Sequence, residues 1–227
     1  MKQKQVSVSF MIMGILFCIC LVAANLLETK IVQVGPVSLT AGFIVFPISY
    51  IINDCIAEVW GFKKARLIIW MGFLMNFFIV LLGQIAVMLP AADYWVENEA
   101  SFNFVFSMAP RVAAASFFAF LVGSFLNAYV MSKMKLASKG KNFCWRAIAS
   151  TIVGESADSI IFFPLAFWGL MPFEEIIKLM LIQVFAKTMY EVIALPVTIR
   201  VVNFVKRIDG ADVYDENISY NVFKKEI

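Results

Sequence analysis

The stretch Asn53-Asp54-Cys55-Ile56-Ala57-Glu58-Val59-Trp60-Gly61-Phe62-Lys63-Lys64-Ala65-Arg66 decides the fold. It closes one apolar run, Leu39 to Ile52, and opens another, Leu67 to Leu89. Runs of about 18 apolar residues mark helices that cross a membrane. Asp54 and Glu58 are four residues apart and share a face if the segment is helical. A Trp-Gly turn and a basic cluster follow at once. Acids at the end of a span are costly in lipid, so these two require a physical reason to be there.

The wider composition agrees with spans. The chain has 227 residues, 62% hydrophobic and 15% charged, with 23 Phe, whereas soluble domains run near half apolar and a quarter charged. The expected fold is therefore an all-α membrane protein in a lipid bilayer. The net charge of +3 does not point to nucleic acid, because the basic residues sit beside the spans and report topology. Cys18, Cys20, Cys55 and Cys144 lack CxxC spacing and read as small apolar packers. Histidine is absent, so no metal site and no cofactor is expected, and any proton chemistry must rest on carboxylates.

Six transmembrane helices fit, over about 7–27, 39–60, 64–89, 109–132, 146–170 and 174–204. They make one domain, 1–208, followed by a polar tail, 209–227, expected to be poorly ordered. Lys2 and Lys4 precede an apolar run too long for a signal-peptide core, so a retained first span is expected. Around Gly35-Pro36, β-branched residues from Lys30 to Leu39 predict a short external hairpin after the first helix. The aromatic segment from Pro90 to Pro110 reads as an interfacial amphipathic helix or as a loop anchored by its rings. Lys63, Lys64 and Arg66, then Lys133, Lys135, Lys139, Lys141 and Arg146, then Lys206 and Arg207 all fall in alternate connections. That predicts a multi-pass membrane protein with both termini in the cytoplasm.

Inside the apolar runs the polar residues form stripes. Glu155 and Asp158 share a face of span five; Gln183, Lys187 and Glu191 repeat every four residues on span six. Asn76 and Gln84 lie on span three, Ser124 and Asn127 on span four. A charge at the centre of a lipid-facing helix costs ~2.5–3.5 kcal/mol even on lenient scales, so these stripes must face one another or a watered cavity. A self-satisfied network, with Lys187 paired to Asp158 or Glu155, is the alternative to a ligand site. Acids outnumber deep cations, which leaves some of them protonated, hydrated or matched by a donor-rich ligand. Glu58, near Lys63 and Lys64, is expected to be solvated, and Arg111 and Arg200 to snorkel. Spans two and five both couple acids to a proline and an aromatic-Gly exit, Trp60-Gly61 and Trp168-Gly169. They run in opposite directions, which points to a 3+3 inverted repeat.

The motif Asn53-Asp54-x3-Glu58-x-Trp60-Gly61-x3-Ala65-Arg66 resembles the signature of the queuosine precursor transporter family, the vitamin-uptake-type transporters. Pro110-Arg111-x4-Ser116, then Ser150, Glu155 and Asp158 with the following Phe pair, then the Lys187 region match in order, from about Asn25 to Val205. The resemblance implies uptake of 7-cyano-7-deazaguanine or its aminomethyl relative. The chain departs from the pattern at Ser124 and Asn127, where a Gln and an Asp often stand, and at Glu155, where some relatives carry an amide. Those departures leave the exact ligand open.

The residues suit such a substrate. A deazaguanine presents a ring N–H and an exocyclic NH2 side by side, a fork for one carboxylate, Asp158 or Glu155. Its flat ring would stack on Phe162, Phe163, Phe43 or Phe46. Lys187 would donate to the carbonyl oxygen or hold an acid charged, and Asp54 would complete the site or act at a gate. The expected substrate-binding set is Asp54, Glu155, Asp158, Lys187, Phe162, Asn127, Gln183, Glu191 and Phe46. No catalytic residue is expected, and a homodimer is an expected assembly for so small a transporter. Two rivals stand beside this reading. A substrate-binding subunit of an ATP-driven uptake system would need a partner, since the chain has no Gly-x4-Gly-Lys-Ser/Thr loop. An intramembrane aspartyl protease would use Asp54 and Asp158 sharing a proton, but the Gly-x-Gly-Asp context is missing.

Overall fold

The structure, a computed structural model, describes residues 6–35, 37–107, 109–169, 172–216 and 218–221. The side chains of residues 37, 38, 107, 109, 110 and 113 lie outside that description, as do Pro36, Lys2 and Lys4 of the sequence reading.

Helix α1 (Val8–Leu27) starts where Ser7 Oγ accepts a hydrogen bond from the Phe10 backbone N–H at 3.2 Å, satisfying one orphan donor of the first turn. It buries Phe10, Gly14, Phe17, Leu21 and Ala24 along one stripe, the spacing of a one-sided helix. Strands β1 (Ile31–Val34) and β2 (Val37–Thr40) pair antiparallel, with Ile31 opposite Thr40. A 3-10 turn, Ala41–Ile44, leads into α2 (Phe46–Trp60). Thr40 gives the chain a polar anchor at this bend. Its Oγ1 accepts from Gln183 Nε2 at 3.1 Å.

Helix α2 is the centre of the bundle. It is buried on nearly every side and packs against α1, α3, α5 and α7. Gly61, at φ 80°, turns the chain directly into α3 (Phe62–Met88), a conformation in which L side chains are strained. Then α4 (Val96–Ser107) lies across the far end of α3, where Gln84 Nε2 donates to Phe106 O at 2.6 Å. Tyr94 and Trp95 beside it are exposed, as aromatic side chains at a membrane interface are.

Helices α5 (Ala109–Ala137) and α6 (Phe143–Phe167) make the closest pair in the molecule. They touch at glycines. A Cβ on Gly123 would sit 2.8 Å from Gly154 O, and one on Gly154 would sit 2.9 Å from Gly123 O. Membrane helices approach this closely only where residues are small. The last helix, α7 (Phe173–Asp209), has 37 residues, about 55 Å at 1.5 Å per residue.

Among the described residues five helices are long and apolar enough to cross a membrane: Val8–Leu27, Ala41–Trp60, Phe62–Met88, Ala114–Ala137 and Phe143–Phe167. The sequence reading expected six. Helix α7 is not among the five; its middle carries Lys187 and Glu191, and it packs against α6 and α2.

Candidate functional site

The polar stripes of α6 and α7 meet. Lys187 Nζ lies 2.8 Å from Glu155 Oε2 and 3.7 Å from Asp158 Oδ2. The first contact is an ion pair without the alignment of a hydrogen bond. The ammonium also stands 3.7 Å from the ring centre of Phe46, on the face where an aromatic quadrupole attracts a cation. Glu28, the residue that ends α1, is close enough for its charge to act on Lys187. All of these side chains are buried. One turn along α7 is Gln183, held by Thr40. Glu155 Oε1, Gln183 Oε1 and Ser159 Oγ have no hydrogen-bond partner among the described residues. Buried polar atoms are nearly always paired, so a group of orphans in one place needs an explanation.

A second cluster lies one helical turn toward the basic end. Asp54 and Glu191 are near enough for each charge to act on the other, with Thr151 beside Glu191. Ser150 Oγ is 3.3 Å from Asp54 Oδ1, though it donates more closely to Ala147 O at 2.8 Å. Asn53 Nδ2 donates to Asn127 Oδ1 at 2.6 Å, fixing α2 to α5. No cation among the described residues pairs with Asp54 or Glu191. Tyr50, between the clusters, has a buried hydroxyl with no partner among the described residues.

The basic end is closed by a third group. Glu58 takes both guanidinium arms of Arg146, with Nη2 to Oε1 at 3.1 Å, the bidentate geometry that makes such pairs strong. Lys206 joins Glu58 at 2.6 Å and Asp212 at 2.9 Å. Lys135 reaches Asp212 at 2.6 Å and donates to Val213 O at 2.8 Å. Burial alone would raise the Asp212 carboxyl, but Lys135 and Lys206 outweigh it and hold the group below the usual carboxylate range. Residues 211–216 and 218–221 lie as a strap over this end. Asp215 accepts from the Phe62 backbone N–H at 2.9 Å and from Ser132 Oγ at 2.5 Å, placing a negative group at the start of α3. The Tyr220 ring packs at a tilt against Phe62 and edge-on to Tyr129.

Several expectations change. Glu58 is not solvated; it is 1% exposed and at the centre of the ion network. The tail is not loose as far as Asn221, because Asp215 and Tyr220 have partners in the bundle. Arg111 is exposed as expected but is engaged, donating to Leu165 O at 3.0 Å and Trp168 O at 2.6 Å, where α6 leaves its last carbonyls free. Phe162 packs with Phe163 and Phe167 in a cluster shared with Val112 and Ala115; the ring that meets Lys187 is Phe46. Phe43 packs on Tyr190. Asp54 and Asp158 have different polar neighbours and do not form a facing pair. Sequence reasoning missed Glu28, Thr40 and Tyr50 at the site and Arg146, Lys135 and Asp215 at the closed end. Glu28 carried one signal, an acid directly after the first apolar run.

A broad recess lies elsewhere. It is a groove of about 850 Å³ between α1 and α3, lined by apolar residues such as Met11, Ile15, Ile19, Met71 and Phe78, a surface suited to lipid chains.

Residues 40–201 match the family model described as "Putative vitamin uptake transporter". The chain is 27% identical over 178 residues to the "Probable queuosine precursor transporter" of Bacillus subtilis (strain 168), covering 77% of this chain and 76% of that one. It is 29% identical over 130 residues to the "Queuosine precursor transporter" of Escherichia coli (strain K12), covering 57% and 55%. No solved structure matches. The matched span runs from Thr40 to Val201 and takes in the acids of α2 and α6 and the polar stripe of α7, and on that match the chain belongs to the vitamin uptake transporter family.

Proposed function

We propose that this protein imports a queuosine precursor, 7-cyano-7-deazaguanine or its aminomethyl relative, as a secondary transporter of the bacterial inner membrane. The observation that carries the reading is Lys187, buried between Glu155 and Asp158 and over Phe46, with acceptor atoms of Glu155 and Gln183 left unpaired. A deazaguanine supplies what they need. Its ring N–H and NH2 would bind one carboxylate, its carbonyl would accept from Lys187, and its ring would lie against Phe46. The relatives' names support the substrate class.

In this reading α7 is the sixth span, with Lys187 tolerable in the membrane because it is paired. Both termini are cytoplasmic, which the gathering of Lys135, Arg146 and Lys206 at one end supports. Alternating access would work through the two halves of a 3+3 arrangement, with the Glu58 network as the inner gate. The test is uptake of labelled 7-cyano-7-deazaguanine by liposomes that contain only the purified chain. Saturable uptake without ATP is expected. Uptake that appears only with an added ATP-hydrolysing partner would favour a capture subunit instead.

A further inference from the structure

Two carboxyls stand apart from the ligand-reading cluster. Asp54 on α2 and Glu191 on α7 are near enough for each charge to act on the other, and they are 0% and 2% exposed. The groups that act on them are few. Asn127 on α5 and Ser150 and Thr151 on α6 are neutral. Tyr50, Cys55 and Glu58 share α2, and Glu58 is engaged by Arg146 and Lys206. Glu155 on α6 and Lys187 on α7 are one turn away and paired with each other. Among the described residues no cation forms an ion pair with Asp54 or Glu191. Independently, both Glu191 oxygens and the Thr151 hydroxyl, each nearly fully buried, lack a hydrogen bond of ordinary geometry.

We propose that Asp54 and Glu191 form a proton-binding site that couples import to the proton gradient, a site distinct from the Glu155–Asp158–Lys187 cluster. The proposal rests on the import reading above. Two neighbouring carboxylates buried away from water, with no cation paired to either among the described residues, cannot both stay ionised, so the closed arrangement needs one shared proton. The proton adds to one carboxylate oxygen from water on the entry side, forming an O–H that donates to the other carboxyl. It leaves to water on the exit side by the reverse step. With the proton bound, α2, α6 and α7 close over a pair that shares one proton and one negative charge; without it, two buried anions force hydration and opening. Glu155 lies within electrostatic reach of Glu191 and in contact with Lys187, which links occupancy of the ligand cluster to the state of the pair.

The test uses the purified full-length chain in liposomes with labelled 7-cyano-7-deazaguanine. Two quantities are read: accumulation under an imposed pH gradient, and gradient-free exchange against unlabelled ligand. Wild type is expected to accumulate ligand on the order of tenfold for one pH unit at one proton per ligand, to lose this with a protonophore, and to make the external medium more alkaline as ligand enters. Asp54→Asn and Glu191→Gln, which mimic the protonated forms, should lose gradient-driven accumulation by a larger factor than they lose gradient-free exchange. Asp158→Asn should lose both together. Variants that accumulate like wild type would overturn the proposal, and variants that lose exchange and accumulation by the same factor would place the pair in ligand binding and overturn it too. Wild type that exchanges but never accumulates would refute coupling and leave the import reading intact; wild type that does neither would refute import itself. Should a variant fail to enter the bilayer, the wild-type external pH signal decides alone.

Discussion

At the scale of single residues, the account turns on buried charges that have partners. Removing one partner of a buried pair typically costs about 3–5 kcal/mol, while replacing both with apolar groups is often neutral. Glu58→Ala would leave Arg146 buried and unpaired at the basic end. It should lower the unfolding temperature in detergent by several degrees, and Glu58→Leu with Arg146→Met should recover most of the loss. An equal loss in the double variant would mean the network itself is indispensable. Lys187→Ala should abolish uptake while protein still reaches the membrane, and unchanged uptake would locate the ligand elsewhere. Of these residues, Lys187 and its acids were readable from their spacing, because only one deep cation stood among them. Glu28 was not, since its proximity to Lys187 is created by the hairpin that returns the chain to α2.

Among the elements, the strap and the α5–α6 crossing do the most to fix the geometry. Asp215 stands in for a helix cap at Phe62 that Gly61 cannot provide, and loss of a cap costs about 1 kcal/mol. A Cβ on Gly61 would meet Asp215 Oδ1 at 2.7 Å and Val213 Cγ1 at 3.0 Å. Gly61→Ala should therefore release the strap, seen as faster amide exchange over residues 58–66 and 211–216; unchanged exchange would contradict the clamp. The strap also has a pH dependence. The Asp212 carboxyl is depressed in the folded state, so its contribution is present above its ordinary value of 3.8 and is lost as the pH falls through the depressed one. Acid should loosen residues 211–216, and Asp212→Asn should remove that step. Composition hid this element: a polar, mixed-charge tail looks solvated until Lys135, Ser132 and Lys206 are placed beneath it. The basic residues were read for topology alone, and that reading concealed their second use as a lock.

For the molecule as a whole, the apolar runs made the helices and their order legible, and the motif from Asn53 to Arg66 led to the family. Helix α7 is the one long helix outside the five apolar enough to cross among the described residues, and it carries Lys187 and Glu191 in its middle. What sequence could not supply was the division of the acids. Spacing puts Glu155 with Asp158 and Asp54 with Glu58. The fold separates the latter pair, sending Asp54 to Glu191 and Glu58 to Arg146, because α2 is surrounded and presents each residue to a different neighbour. The central claim is import of a queuosine precursor through the Lys187 cluster. Its most direct measurement is the queuosine content of tRNA in cells that can neither make the precursor nor take it up, supplied with 7-cyano-7-deazaguanine or its aminomethyl relative. Expression of this chain should restore queuosine and Lys187→Ala should not; tRNA that stays unmodified with the wild-type chain in the membrane would contradict the account.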